Sequence, residues 1–112
     1  MTGSSVIEAQ ALPLQHHSLP ETKAVTSGVT TASAELGSIN GLSAGVWEHA
    51  AGVSTDVEQD EMFVVISGRG RIILDNGEVL LLQPGTVGRL RAGESTRWEI
   101  DEPLRKVWFT PA

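Results

Sequence analysis

Glycine and proline divide the sequence from Gly45 to its C-terminus into apolar runs that are too short for helices. The runs recur roughly every ten residues and end at turn-forming pairs such as Pro84 with Gly85 and Ala92 with Gly93. Within several runs, apolar and polar residues alternate, which is the pattern of a strand with one buried face. Many short strands separated by turns predict an all-β fold, either a sandwich or a barrel.

The most specific turn signal is Asn76 followed by Gly77, which separates the apolar runs at residues 72–74 and 79–82. Asn-Gly is favoured in type I′ turns because both central residues there adopt positive φ. The sequence therefore predicts that these two runs form one antiparallel hairpin.

Breaks are predicted at two other places in this region. Gly68 and Gly70 indicate the end of the strand that begins at Met62, because glycine interrupts strands. The Asp-Glu-Pro segment at residues 101–103 indicates a turn before a last strand at residues 104–110.

The first third of the chain is less regular. Residues 1–20 show no sustained period, so we expect an N-terminal arm or loop. Residues 21–43 are rich in Thr, Ser, Ala and Gly and predict short edge strands and turns. A helix is possible at residues 31–36, although Gly37 follows it directly. We expect one barrel domain at residues 21–112, which is a usual domain length.

Composition excludes several classes of partner. The chain has no cysteine, which rules out disulfides and thiolate zinc sites. Its net charge of −6 disfavours nucleic acid, since phosphate binding needs clustered Lys and Arg. No apolar run approaches the roughly 20 residues of a membrane helix, and no basic, apolar leader opens the sequence. These observations predict a cytoplasmic protein that does not bind membranes.

Strand alternation indicates which side chains share a face. The pairs are Trp47 with His49, Glu61 with Phe63, and Thr96 with Trp98. Apolar walls with a few polar groups are typical of small-molecule sites. Near the C-terminus, two inward pairs are equally plausible: Lys106 with Trp108, or Val107 with Phe109. We therefore take as candidate ligand-binding residues Trp47, His49, Glu61, Phe63, Thr96, Trp98 and Lys106.

Several motifs from about Gly45 onward resemble one protein family. They are Trp47-Glu48, Asp60-Glu61, Ser67-Gly68, Pro84-Gly85, Gly93 with Trp98 five residues later, and the segment Glu102-Pro103-Leu104-Arg105-Lys106. Their order and spacing resemble the small cupins grouped with the cupin domain of (S)-ureidoglycine aminohydrolase. The resemblance implies a jelly-roll barrel of antiparallel strands, the cupin double-stranded β-helix, and implies a homodimer.

The same resemblance bears on metal binding. Metal-dependent cupins usually hold a divalent ion with two histidines before the glutamate and one in the second motif. In this sequence those positions fall near Ser54 and Asp56 and at Thr96, so only Glu61 of the usual ligand set is present. We therefore predict no metal and no other cofactor. A weak divalent site remains open, although disfavoured, through oxygen or nitrogen donors of Asp56, Glu58, Glu61 and His49.

Three functional hypotheses follow. The first is a cupin that binds a small polar metabolite in its barrel without a tightly held metal. The second is an enzyme acting on a ureido, amino-acid or sugar-like compound, with Glu61 as a catalytic general acid or base; this substrate class is implied by the resemblance alone. In the third, the pocket is vestigial and the barrel serves assembly. We favour the first, because the histidines of a metal-dependent enzyme are absent.

Overall fold

The computed structural model describes residues 3–111, and within that range every regular element is a strand. The all-β prediction is therefore confirmed. In this part of the chain no helix is long and apolar enough to cross a membrane. The eight strands of the described residues are β1 (His17–Ser18), β2 (Thr30–Ile39), β3 (Leu42–His49), β4 (Gly52–Val57), β5 (Glu61–Leu74), β6 (Val79–Leu82), β7 (Val87–Leu90) and β8 (Ser95–Pro111).

Strands β5 and β8 form a long antiparallel ribbon around which the other strands are arranged. Along β8, residues 95–100 pair with β4 and residues 104–111 pair with β3. Along β5, residues 61–64 pair with β7 and residues 70–73 pair with β6. Each half of the ribbon thus belongs to a different part of the sheet. The two parts enclose one apolar core, as expected of a barrel.

The predicted breaks at Gly68, Gly70 and residues 101–103 are wrong. Both strands continue through these positions, and their pairing register shifts there instead, as in β-bulges. Gly68 has a φ of 88°, and a Cβ at this position would collide with the carbonyl oxygen of Pro103. The glycine therefore allows a close approach of the two backbones where the ribbon bends.

Residues 30–39 also differ from the prediction, because they form one strand of 10 residues rather than short strands or a helix. Strand β2 pairs with β3 through a tight turn at Asn40 and Gly41, with φ of 49° and 79°. These angles are those of a type I′ hairpin, which fixes the register. The pairing with β3 outweighs the weak strand propensity of this Ser- and Ala-rich segment.

The hairpin of residues 72–74 and 79–82 is confirmed, with Ile72 opposite Leu80 and Ile73 opposite Val79. Its turn is not type I′, however, because Gly77 has a positive φ whereas Asn76 does not. The Gly77 amide donates to the carbonyl of Leu74, and the Leu74 amide donates to that of Glu78. This is the pattern of a three-residue loop with a bulge.

The segment before residue 20 contacts the rest of the fold. Strand β1 pairs with the start of β2. The Arg105 guanidinium donates hydrogen bonds to the carbonyls of Ala9, Gln10 and Leu12. These contacts place an ordered segment against the sheet. The domain division at residue 20 stays a prediction.

Candidate ligand-binding site

A cavity of about 530 Å³ opens between strands β3, β4 and β8 and the connection from β4 to β5. Three indole rings contribute to its walls, those of Trp47, Trp98 and Trp108. Four acidic and two basic side chains also line it: Asp56, Glu58, Asp60, Glu61, Lys23 and Lys106. The cavity therefore combines aromatic surface with an excess of negative charge, which favours neutral or cationic ligands over anions.

The most unusual group in the cavity is the ammonium of Lys106, whose residue is only 4% exposed. Its Nζ atom lies 4.6 Å from the ring centroid of Trp47 and 4.8 Å from those of Phe63 and Trp98. It donates a hydrogen bond of 2.5 Å to Glu61 Oε2. Three aromatic faces and one carboxylate therefore stabilise a positive charge inside the barrel.

Strand alternation in β8 explains how Lys106 reaches this position. Lys106 and Trp108 both line the cavity, whereas Phe109 is 39% exposed on the outer face. Of the two inward pairs that the sequence left open, the structure has Lys106 with Trp108. Leu104, two residues earlier on the same face, is fully buried in the core.

Glu58 is a buried carboxyl group in the cavity, 7% exposed, whereas Glu61 is only partly buried. Its Oε2 atom accepts hydrogen bonds from the Thr96 hydroxyl at 2.6 Å and from the Trp98 indole N–H at 3.0 Å. Burial raises the pKa of Glu58, although these two hydrogen bonds oppose the rise. The other oxygen, Oε1, accepts no hydrogen bond from the described residues, which leaves an acceptor for a ligand.

His49 lies behind the cavity wall rather than in it. Its side chain is fully buried, and its Nδ1–H donates to the carbonyl of Ala50 at 2.5 Å. The Ser54 hydroxyl, which belongs to a cavity-lining residue, donates to Nε2 at 2.8 Å. Burial lowers the pKa of His49, so the neutral imidazole is favoured. Both ring nitrogens are therefore occupied within the protein.

Comparison with models of known protein families identifies the family of this chain. Residues 36–108 of the 112-residue chain match the family model described as the EutQ-like cupin domain. The chain belongs to this family. None of the curated proteins compared with this cupin matches it.

Solved structures that share the cupin fold include two EutQ proteins. The Clostridium difficile EutQ protein is 18% identical, with a TM-score of 0.73, and the match covers 95% of this chain and 85% of that one. An ethanolamine utilization protein Q from Salmonella typhimurium is 14% identical, with a TM-score of 0.64, and the match covers 90% and 97%. Ectoine synthase from P. lautus is 20% identical, with a TM-score of 0.65, and the match covers 84% and 67%. At these identities the similarity shows the fold, the cupin jelly-roll barrel.

Four of the residues predicted from sequence to bind ligand line the cavity: Trp47, Glu61, Trp98 and Lys106. The other three lie directly behind its wall. His49 supports Ser54, Phe63 lies beneath the Lys106 ammonium, and Thr96 holds Glu58. Sequence analysis considered Glu58 only as a donor to a weak divalent site and missed it as a buried group of the cavity. No residue near Glu58 in the sequence indicates its contacts with Thr96 and Trp98, which lie 38 and 40 positions away.

The cavity residues of this cupin do not fit the divalent ion that metal-dependent cupins hold. Within residues 3–111 no three His, Asp or Glu side chains are grouped as ligands. The acidic donors considered from sequence are each engaged within the protein. Glu61 pairs with Lys106, Asp56 pairs with Lys23 at 2.9 Å, and Glu58 accepts from Thr96 and Trp98. The Lys106 ammonium thus lies beside the one carboxylate of the usual metal set.

Proposed function

We propose that this cupin binds a small polar metabolite in the cavity beside Lys106 and Glu58. One observation carries the proposal: two charged side chains are buried at one cavity, and each retains bonding capacity there. The ammonium of Lys106 has three N–H groups, of which one bonds to Glu61. Glu58 offers Oε1 as an acceptor. A ligand with an acceptor oxygen and a nearby hydrogen-bond donor satisfies both groups, while the indole rings cover its apolar surface.

A thermal-shift screen tests this function, because a ligand that binds the folded state raises the melting temperature. The panel contains neutral ureides, amino acids, sugars and sugar acids at equal concentration. We expect at least one neutral or zwitterionic compound to stabilise the wild type, and sugar acids to act more weakly. The matched variants are Lys106→Met and Glu58→Gln, which keep side-chain size and remove one polar contact each. A ligand that shifts all three proteins equally would place binding outside this cavity.

The second candidate is an enzyme acting on a ureido, amino-acid or sugar-like compound, the class that the resemblance to the ureidoglycine aminohydrolase cupins implies. The raised pKa of Glu58 favours this candidate, because general acid catalysis needs a carboxyl group that retains its proton nearer neutral pH. The predicted acid or base, Glu61, is engaged with Lys106. Turnover of a stabilising ligand, lost in Glu58→Gln and kept in a variant of an exposed acid such as Glu78→Gln, would support this candidate.

We also propose that the cupin forms a homodimer through the outer face of its sheet. Leu42, Met62, Val87 and Phe109 are between 39% and 65% exposed there although they are apolar. Met62 lies opposite Phe109 on the neighbouring strand, and all four residues line one hollow on this face together with Arg89. Sedimentation analysis of wild type and Met62→Lys tests this: the wild type should be dimeric and the variant more dissociated. A monomeric wild type contradicts the dimer and leaves the cavity proposal intact.

A further inference from the structure

The two lysines of the sequence, Lys23 and Lys106, differ in how far their side chains are buried. The side chain of Lys23 is 47% exposed, whereas that of Lys106 is 5% exposed. Lysine is rarely buried without a partner, because its ammonium loses hydration. At Lys106 the buried amine ends in a cavity that is large enough for a small molecule. A buried amine that ends in a cavity, with a carboxylate able to take its proton, can act as a nucleophile.

We propose that Lys106 forms an imine with a small aldehyde or ketone held in the cavity. The proposal rests on the ligand cavity proposed above, and it adds a covalent step to binding. The charge balance of the lining residues favours a neutral carbonyl compound over an anionic keto acid.

The proton transfers can be assigned to groups that the structure places at the cavity. Glu61 Oε2, at 2.5 Å, accepts a proton from the Lys106 ammonium, which frees the nitrogen lone pair. That pair attacks the carbonyl carbon, an N–C bond forms, and the carbonyl electrons move to oxygen. The oxygen gains a proton that the nitrogen loses, giving a neutral carbinolamine. Glu61 then returns its proton to the hydroxyl, the C–O bond breaks, water leaves, and a C=N bond forms.

The groups around Nζ stabilise a positive charge on nitrogen both in the starting ammonium and in the iminium product. The reaction converts an ammonium and a carbonyl group into an iminium and water, so the positive charge on nitrogen is retained. The rings of Trp47, Phe63 and Trp98 and the Glu61 carboxylate stabilise that charge in both states. No oxidant or other reactant is needed.

Glu58 is placed to relay the proton between nitrogen and oxygen in the carbinolamine step. It shares the cavity with Lys106, and Trp98 contacts both of them: its ring faces Nζ, and its N–H donates to Glu58. Burial raises the pKa of the Glu58 carboxyl group, which favours a form that can donate a proton.

Reductive trapping of the wild-type protein tests the proposal. Glycolaldehyde, butanone and pyruvate are each incubated with the protein and sodium cyanoborohydride, and peptide mass spectrometry locates the fixed adduct. Lys23 serves as an internal comparison, because it lines the same cavity but its side chain is exposed and pairs with Asp56. We expect Lys106 to be modified about tenfold faster than Lys23 despite its burial, and glycolaldehyde to react faster than pyruvate. Modification of Lys23 at an equal or higher rate overturns the proposal.

Two variants separate this step from reversible binding. Glu61→Gln should slow modification of Lys106 by about tenfold and leave the rate at Lys23 unchanged, because only Lys106 uses this base. A Lys106→Arg protein keeps the positive charge and cannot form the imine, so its adducts should be confined to Lys23 and the chain terminus. If ligands from the thermal-shift panel bind while no adduct forms at Lys106, the imine is wrong and the binding function stands. If neither is observed, both are wrong.

Discussion

Two adjacent residues of β8, Arg105 and Lys106, carry buried positive charges on opposite faces of the sheet. They differ in how many hydrogen-bond partners surround the charge. Arg105 lies opposite Glu48 on β3, and Lys106 lies opposite Trp47. Arg105 donates to Glu48 at 3.0 Å and to three backbone carbonyls of the N-terminal segment. Lys106 donates to one carboxylate and otherwise faces aromatic rings and a cavity.

The difference separates a structural charge from one that is available to a ligand. The Arg105 cluster is closed, because Glu48 also accepts from His16 Nε2 at 2.5 Å, and His16 Nδ1 forms a hydrogen bond of 2.9 Å with the Thr30 hydroxyl. The Lys106 cluster remains open on the side of the cavity. Removing a buried charge whose partners all lie within the protein lowers the free energy of unfolding. Removing a charge that faces a cavity is expected to reduce ligand binding more than stability.

The largest effect on stability is expected for Arg105→Met. This change leaves the Glu48 carboxylate and the carbonyls of Ala9, Gln10 and Leu12 without their shared donor. We expect a loss of about 3–5 kcal/mol in the free energy of unfolding, measured by urea denaturation. Limited proteolysis should also cleave the N-terminal segment faster in this variant.

Arg105→Lys provides the matched control for that prediction. The lysine ammonium can pair with Glu48 but cannot reproduce the fork of guanidinium donors that binds several carbonyls. Its loss of stability should therefore fall between those of the wild type and Arg105→Met. A loss below about 1 kcal/mol in Arg105→Met would contradict a closed structural cluster, since that is the range of exposed pairs.

A smaller effect on stability is expected for Lys106→Met, although the residue is as deeply buried. Methionine fills the space between Trp47, Phe63 and Trp98 with apolar atoms, and the cavity allows water to reach the Glu61 carboxylate. We expect a loss of about 1–2 kcal/mol in the same urea experiment, together with loss of ligand-induced thermal shifts. If Lys106→Met lost as much free energy of unfolding as Arg105→Met and still bound ligand, the proposed difference between the two clusters would be wrong.

The sequence predicted the barrel better than it predicted these clusters, for physical reasons. Turn residues and strand alternation act locally, so the hairpin after Leu74 and the buried face of Thr96 and Trp98 could be recognised. The Asn-Gly pair at residues 40–41 carried the same signal and was missed, because the segment before it has few apolar anchors. Gly68 was mistaken for a strand end, since a bulge and a break use the same residue type.

The pairing of charges depends on register between distant strands, which local patterns do not encode. Alternation left open whether Lys106 or Val107 faces inward, and only the pairing of β8 with β3 and β5 decides it. The contacts of Glu58 could not be predicted, because nothing near it in sequence indicates Trp98, 40 positions away. Four of the predicted ligand residues line the cavity nonetheless, and two of them, Trp47 and Trp98, are aromatic residues on strands, which are good markers of an enclosed face.

Opposite pH dependence should distinguish Glu58, which lines the cavity with Lys106, from Glu48 of the Arg105 cluster. Burial raises the pKa of Glu58 above its ordinary value of 4.5, so its contribution to stability is present below about pH 4.5 and is lost as pH rises through the raised value. Burial acts to raise the pKa of Glu48 as well, but hydrogen bonds from His16 and Arg105 outweigh it and lower that pKa. The contribution of Glu48 is therefore present above pH 4.5 and is lost as pH falls through the lowered value.

Urea denaturation of Glu58→Gln and Glu48→Gln from about pH 3 to pH 8 measures these slopes. The stability of Glu58→Gln relative to the wild type should rise with pH, because glutamine does not acquire a buried charge. The stability of Glu48→Gln relative to the wild type should fall with pH, because the wild type gains its ion pairs. Slopes of the same sign would mean that the two carboxyl groups have equivalent surroundings.

The smallest effect is expected for His16→Asn, at the edge of the closed cluster. The His16 side chain is 29% exposed and that of Glu48 is 22% exposed, so water can replace part of the lost contact. Because Arg105 still neutralises Glu48, the variant should lose only about 0.5–1.5 kcal/mol in the free energy of unfolding, the usual contribution of one hydrogen bond. Combining His16→Asn with Arg105→Met tests closure directly, since members of one network give non-additive losses. A strictly additive double variant would show that His16 and Arg105 act on Glu48 independently, and the N-terminal segment would then be held by Arg105 alone.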